Sequence, residues 1–532
     1  MGPGASGAVA GGGSMSRVAV LGGGIAGIVS AALLAADGHE VELFEKSAEL
    51  GGRAGRWDAR GFRFDTGPSW YLMPEVFDHA FRLLGTTAAD ELDLVRLDPA
   101  YRVFFDGADP LDVRSGRAAA VAQFEGIEPG AGARLSAHLD SAARTYRLAN
   151  DRFLYTDFSH PRAFVPGRAL RELPALSRLL GRSLQSLVEG SFTDPRLRQI
   201  LQYPAVFLGA SPALAPALFH LMSTFDLDDG VLYPRGGLGV VVDAFSRLAA
   251  EAGVAVHTRT PVRRILVDGR AVRGILVERH GALCEERFDR VVSAVDMHHS
   301  DTALLPGRSR ERSLRHWDRS NPGTGAVLAM LGVRGRLPEL RHHNLVFTRD
   351  WQANFDAIFG AVPRVPDPAS FYACMPSATD ATVAPEGHEN LFLLVPVPAD
   401  PGIGSGGLEG AGAAEVEAVV DRAIAALAEH AGAPDLPERV VLRRTVGPAD
   451  FERDLHSWRG SALGPAHTLR QSAFLRGRTR SRRTRGLFYA GATTIPGIGL
   501  PMCLISAELV LKAFRGDRST GPLPVAETQR WV

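Results

Sequence analysis

Cysteine is scarce. Cys284, Cys374 and Cys503 are the only three in 532 residues, with no C-x-x-C pair and no histidine nearby at metal-ligand spacing. Spacing therefore reveals neither a disulfide framework nor a metal site, and a reducing compartment is implied. Net charge is absent too, because 59 basic residues balance 59 acidic ones at a pI near 7.3. No global field then draws the chain to nucleic acid. Lysine is nearly missing: Lys46 and Lys512 stand alone, and arginine carries the rest of the positive charge. Long unbroken apolar runs are also lacking. The charge-free stretch 200–225 holds Pro204, Pro212 and Pro216, and 486–507 holds Pro496, Pro501 and four glycines. Each proline removes a helix hydrogen bond, so neither stretch reads as a membrane span. The first fourteen residues lack the basic and apolar regions of a secretory signal and read as a flexible tail, with Met15 as an alternative start. The chain is expected to be cytoplasmic, either soluble or peripheral to a membrane. Its length calls for two or three domains.

What is present begins at "RVAVLGGGIAGIVSAALLAADGHEVELFEK", residues 17–46. A buried strand leads into Gly22, Gly24 and Gly27, spaced G-x-G-x-x-G, and an alanine-rich helix follows. Gly22 permits a tight turn, Gly24 lets backbone approach a pyrophosphate, and Gly27 lets the helix pack on the sheet. The first helical turn, with Ile25 and Ala26, presents free N–H groups to the phosphates. A second strand ends on Glu45, 18 residues past Gly27 (45 minus 27), near the offset of about 20 expected for a carboxylate that accepts ribose hydroxyls. That carboxylate repels a 2′-phosphate. NAD and FAD remain equally open on this motif.

The next residues, "KSAELGGRAGRWDARGFRFDTGPSW", follow Glu45 with Lys46, Gly51, Gly52 and Arg53, then with Asp65, Gly67, Pro68 and Ser69 on a turn. Glycine lets backbone come close to a ligand, and arginine pairs with a diphosphate. This segment resembles the opening of the flavin-dependent amine oxidase and phytoene desaturase superfamily. The resemblance extends through "YPRGGLG" and its amphipathic helix, through 371–398 and 460–480, to "GLFYAGATTIPGIGLPMCLISAELVLKAF" at 486–514, and it covers most of 15–515. Its carotenoid branch, the bacterial-type phytoene desaturases, fits better than the amine oxidases.

The resemblance implies an α/β fold: a Rossmann-like FAD-binding domain of the glutathione-reductase type, a β-rich substrate domain and a helical membrane-facing cap. The implied division is a tail over 1–14 and an FAD domain in three parts, 15–105, 226–300 and 481–515. The substrate domain takes 106–144 and 301–480, the cap 145–225, and a C-terminal tail 516–532. FAD would be held by Gly22, Gly24, Ile25, Ala26, Gly27, Glu45, Lys46, Gly52, Arg53, Gly67, Pro68 and Ser69. Backbone at Val262 would meet the adenine, and Gly491, Ala492, Gly499 and Leu500 would close on the flavin, where a helix N-terminus suits its negative N1–C2=O edge. No metal is implied.

The implied activity is stepwise dehydrogenation of phytoene towards lycopene. The substrate is a lipophilic carotenoid, and oxygen or a quinone takes the electrons, since no second dinucleotide motif is evident. Another carotenoid oxidoreductase or isomerase, and a flavin-less prenyl-lipid-binding relative, stand as alternatives. Leu176, Leu179, Leu180, Leu184 and Leu187 share one face of a helical pattern, opposite Arg178 and Arg182. That pattern is consistent with an interfacial helix, and amphipathicity alone favours a core-facing helix with a solvated arginine face. The arginines at 476, 478, 480, 482, 483 and 485 read as a lipid-binding run or a solvated loop. No catalytic base is identifiable: Asp157 and Arg152 are weak candidates, and His160, His298 and His299 are expected at the surface.

Overall fold

The computed structural model describes residues 15–158 and 173–525. The 1–14 tail, the segment 159–172 with His160, and 526–532 lie outside the described residues.

Strand β1 (Arg17–Leu21) is apolar and buried from Val18 onward, as a strand covered on both faces must be. It is the middle of a five-stranded parallel sheet ordered β5 (Leu487–Tyr489), β4 (Arg290–Ser293), β1, β2 (Glu40–Phe44), β3 (Ala255–His257). Three chain segments hundreds of residues apart therefore build one sheet. Helices α1 (Ile25–Ala36), α2 (Gly239–Glu251) and α3 (Leu500–Arg515) pack together on one face. A three-stranded antiparallel sheet (Val262–Asp268, Ala271–Arg279, Ala282–Arg287) covers the other, where Ile265, Ile275 and Val277 meet Ala19, Leu21 and Val291.

The second layer is a mixed seven-stranded sheet. Its order is Val440–Val446, Thr324–Arg334, His388–Pro398, Phe371–Cys374, His343–Phe347, Tyr101–Phe105, Ala108–Val113. Only His343–Phe347 and Tyr101–Phe105 run parallel. Helix Ala414–His430 buries Val416, Val420, Ile424 and Leu427 against one face. Leu328, Phe347, Tyr372 and Leu394 border a cavity on the other.

Four expectations change. Tyr101–Phe105, given to the FAD domain, pairs into the seven-stranded sheet. The chain at 477–480, given to the substrate domain, bridges Thr494 and Phe488 and so already belongs with the nucleotide sheet. Within the C-terminal tail, Leu523 is buried, and Lys512 Nζ donates to the carbonyls of Ser519 at 2.7 Å and Gly521 at 2.8 Å, which docks 516–525 on α3. The single leucine-faced helix is two helices, Leu173–Leu180 and Leu184–Glu189. Gly181 lies at the break, and Ser183 caps the second by accepting from Ser186 N at 3.1 Å. Leu184 consequently enters the core, whereas Leu176 and Leu180 border the cavity. Among the described residues no helix is long and apolar enough to cross a membrane.

Candidate active site

One cavity of about 1460 Å³ lies between the two sheets. Ordinary small-molecule sites occupy roughly 300–1,000 Å³, so this one has room for two ligands side by side. Every residue nominated for the cofactor lines it except Gly27.

That exception has a physical reason. A Cβ on Gly27 would overlap the carbonyl oxygen of Gly22, so Gly27 serves the close packing of α1 behind the turn. A Cβ on Gly24 would meet nothing nearer than Gly51 O at 3.9 Å. Gly24 therefore leaves a low wall at the N-terminus of α1, which carries no side-chain cap, and a diphosphate fits that opening. Beyond it, Glu45 is locked at the end of β2: Oε2 accepts from Gly23 N and Oε1 from Ser47 N, both at 2.7 Å. Lys46 and Val262 border the same end, although Lys46 Nζ already donates to Arg453 O at 2.8 Å. Asp65 takes a capping role, since its carboxylate accepts from Leu238 N at 2.7 Å and Gly239 N at 2.9 Å where α2 begins. Burial pushes that carboxyl up to about 6.

Arg53 is more constrained than a free diphosphate ligand. It donates through Nε to Ala462 O at 2.8 Å and through Nη2 to Ser457 Oγ at 2.6 Å, and burial pulls its guanidinium down. Two of its three nitrogens thus tie the Gly51–Gly52 turn to the 457–462 loop. The opposite wall is the turn from β5 into α3. Gly491 and Gly499 hold φ of +101° and +114°, values that suit glycine, and Leu500 opens the helix. Ser506 Oγ accepts from Gly491 N at 3.1 Å, and His467 Nε2 accepts from Ile498 N at 3.1 Å.

Arg476 overturns its own sequence reading. It is neither a lipid ligand nor solvated: it is 3% exposed. Its guanidinium donates to the carbonyls of Thr494 (3.1 Å), Pro465 (3.0 Å), Gln471 (3.1 Å) and Ala492 (2.6 Å), with no carboxylate among them. Burial lowers it to about 9. It braces the 491–499 turn from behind. Nothing in the sequence separates it from Arg482, Arg483 and Arg485, which are exposed.

His298 and His299 are half-buried, not surface groups. His298 packs between Trp317 and Trp458, and His299 stacks on His456 with ring centres 3.9 Å apart. His299 and Arg152 line the cavity, and Asp157 does not. Chain spacing separates Cys374 from any histidine pair, yet the fold gathers buried His342, His343 and Cys374 with ligand atoms within 4.8 Å. Each histidine uses one nitrogen, His342 Nδ1 with Thr379 Oγ1 at 2.9 Å and His343 Nδ1 with Tyr372 Oη at 2.6 Å, and both Nε2 atoms are buried without a hydrogen-bond partner.

The rest of the cavity is an apolar arm that motif reading did not find. Trp70, directly after Ser69, is its hub, with ring centres 4.3 Å from His343 in parallel stacking, 5.5 Å from Tyr101 and 5.7 Å from Phe207. Tyr203, Phe347 and Tyr372 continue the wall, and helix Trp351–Phe359 lines the arm with Trp351, Phe355 and Phe359. Exposed Leu180 and Phe474 lie among the lining residues at the rim.

A family model described as flavin containing amine oxidoreductase matches residues 25–510. The chain belongs to that family. It is an oxidoreductase, and its cofactor is FAD, which the Gly24 opening, Glu45 and the α3 N-terminus fit. Among curated relatives, a carotenoid 3,4-desaturase from Haloarcula japonica is 42% identical over 94% of this chain and 98% of its own length. A zeta-carotene-forming phytoene desaturase from Myxococcus xanthus is 36% identical over 93% of each. These relatives place the chain on the carotenoid desaturase branch of the family. Solved structures share the fold: an oxidoreductase from Methanosarcina mazei has a TM-score of 0.59 at 15% identity, covering 93% of this chain and 100% of its own. Cyclohexylamine oxidase from Brevibacterium oxydans has a TM-score of 0.56 at 13% identity, covering 94% and 99%.

Proposed function

We propose that the protein is a carotenoid desaturase that dehydrogenates phytoene stepwise towards lycopene. The observation that carries this reading is the continuity of the cavity: an aromatic, largely apolar arm opens directly beside the turn Gly67–Pro68–Ser69, with no charged group at the hub. A long hydrocarbon fits such an arm, and a small amine does not need it. FAD, when bound, supplies the two-electron acceptor for the reaction. The chain's own residues orient and dry the reacting carbons. Trp70, Tyr203, Phe207 and Tyr372 offer flat faces to a polyene, and their packing against one another excludes water. Oxygen or a quinone then takes the electrons, and NADPH is not required.

A second reading has its own support. The Haloarcula relative is the more similar of the two named above and acts as a 3,4-desaturase. On that reading the substrate is an already conjugated carotenoid, desaturated near one end. Both readings ask for delivery from a lipid phase, and we place the contact at the rim, where Leu176, Leu180 and Phe474 border the opening.

One experiment separates these readings. Anaerobic protein in liposomes is mixed with phytoene, with lycopene or with a soluble amine, and bleaching of the oxidised flavin's visible absorption is followed. Bleaching by phytoene, with restoration by oxygen or a quinone, supports the first reading. Bleaching by lycopene alone supports the second, and bleaching by the amine alone overturns both.

A further inference from the structure

A π-helical turn, Thr224–Asp228, buries Asp226 behind the aromatic wall. Its Oδ2 accepts two phenolic hydrogen bonds, from Tyr203 at 2.8 Å and from Tyr101 at 3.0 Å. Its Oδ1 has no hydrogen-bond partner of good geometry. Tyr203 lines the cavity, and its ring lies 6.3 Å from that of Trp70, the residue that follows the turn assigned to the flavin. A buried carboxylate left half-satisfied is costly, and such groups concentrate where protons are handled.

We propose that Tyr203 and Asp226 form the proton exit of the dehydrogenation, Tyr203 as the catalytic residue at the substrate and Asp226 as the acceptor behind it. The proposal rests on the desaturase reading above. Two C–H bonds of adjacent carbons break. One hydrogen would leave with its electron pair as a hydride, for which FAD, when bound, would be the two-electron acceptor. The other leaves as a proton to the phenolic oxygen of Tyr203 while the phenol's own proton passes to Asp226 Oδ2. The electron pair of that second C–H bond becomes the new π bond. The balance is one C=C formed, one two-electron reduction and one proton held on Asp226.

The surroundings leave the carboxylate free for this task. Burial pushes Asp226 up to about 7, partly opposed by the two tyrosine hydrogen bonds and by neighbouring backbone N–H groups. The titratable groups on elements packed against the turn are engaged elsewhere. Arg117 pairs with Asp140 at 2.5 Å and lies 3.7 Å from Asp228. His138 meets Ser223, His220 meets Ser141 at 2.9 Å, and Tyr146 bonds Glu75. On the turn's own flank, Asp229 is pushed up to about 6, chiefly by burial. A carboxylate titrating near neutrality is well matched to accept a proton at physiological pH.

The test is single-turnover flavin bleaching by the carotenoid that reduces the wild type, measured from pH 5.5 to 8.5, about the span over which such a group titrates. The wild-type rate should rise with pH through a limb near 7. Asp226→Asn should slow bleaching by at least about 100-fold and remove that limb, with FAD content unchanged. Tyr203→Phe keeps the carboxylate and the wall, and it should slow bleaching comparably. It also keeps the idea testable if Asp226→Asn fails to fold. If Tyr203→Phe bleaches at the wild-type rate with the wild-type pH limb, the proton exit is overturned while the desaturase reading stands. If no carotenoid bleaches the wild-type flavin, both fall.

Discussion

The two ends of the cavity are built on different principles. The cofactor end is walled by backbone: Gly22, Gly24, Gly491 and Gly499 keep side chains out of the way, and helix N-termini supply the polarity. The substrate end is walled by side chains, Trp70, Tyr203, Phe347, Trp351 and Tyr372, delivered by four distant segments. Backbone walls require glycine at fixed offsets, because no other residue tolerates the close approach. Side-chain walls require only bulk and apolarity, which many residues provide. The first end is rigidly specified, and the second is adjustable.

The sharpest way to break this contrast is at the two neighbouring motif glycines. Gly27→Ala forces a Cβ into the Gly22 carbonyl, and the expected outcome is loss of the folded protein, read by circular dichroism and soluble yield. Gly24→Val places bulk only in the cavity. It should leave circular dichroism and soluble yield close to wild type while FAD affinity falls at least about tenfold, a loss of about 1.4 kcal/mol in binding. If both variants lose flavin and fold together, the separation of packing from ligand glycines is wrong.

Arg476→Met comes next in size. Four carbonyls lose their donor, and the protein should be destabilised by about 3 kcal/mol, with flavin loosened as the 491–499 turn relaxes. Chemical denaturation and FAD titration check it, and Arg476→Lys should rescue little because it cannot reach four acceptors. At the other end, Phe355→Leu should cost about 1 kcal/mol, keep FAD at wild-type occupancy and change the product ratio seen by chromatography. Unchanged products would show that helix Trp351–Phe359 does not measure the substrate.

The smallest effect is a pH dependence at the hinge between the ends. Asp65 titrates near 6 when folded against an ordinary 3.8, so its protonated form is the one the fold favours. Its contribution is fully present below about 4 and is lost as pH rises through 6. The unfolding temperature of wild type relative to Asp65→Asn should therefore be higher at pH 5 than at pH 7.5. A difference independent of pH would show that Asp65 keeps an ordinary pKa.

This contrast also explains what was legible beforehand. The strand–turn–helix at 17–36, Glu45 and the helix from Leu500 were readable because each needs a particular residue at a particular offset. Arg476 was not, since an arginine that donates to four carbonyls looks like its exposed neighbours until the chain is folded. The break at Gly181 was missed because leucine spacing continues in phase across it, although Gly181 and Ser183 were a stop and a cap in plain sight. Tyr203 and Asp226 carry no motif at all; they meet only because residues 203 and 226 fold back on the same wall.

The order of strands in the parallel sheet has a consequence for biosynthesis. β1 and β2 leave the ribosome early, but β5, which pairs with β4, and α3, which packs on α1, are encoded hundreds of codons later. At about 5–20 residues per second, the stretch from Phe44 to Leu487 takes roughly 20 to 90 s to synthesise. Until α2 emerges α1, apolar on nearly every side, is uncovered, and the face that α3 will take stays open to the end of that interval. A nascent chain of this topology cannot close its parallel sheet, or the wall that Gly491 and Gly499 supply, until its C-terminal segment arrives.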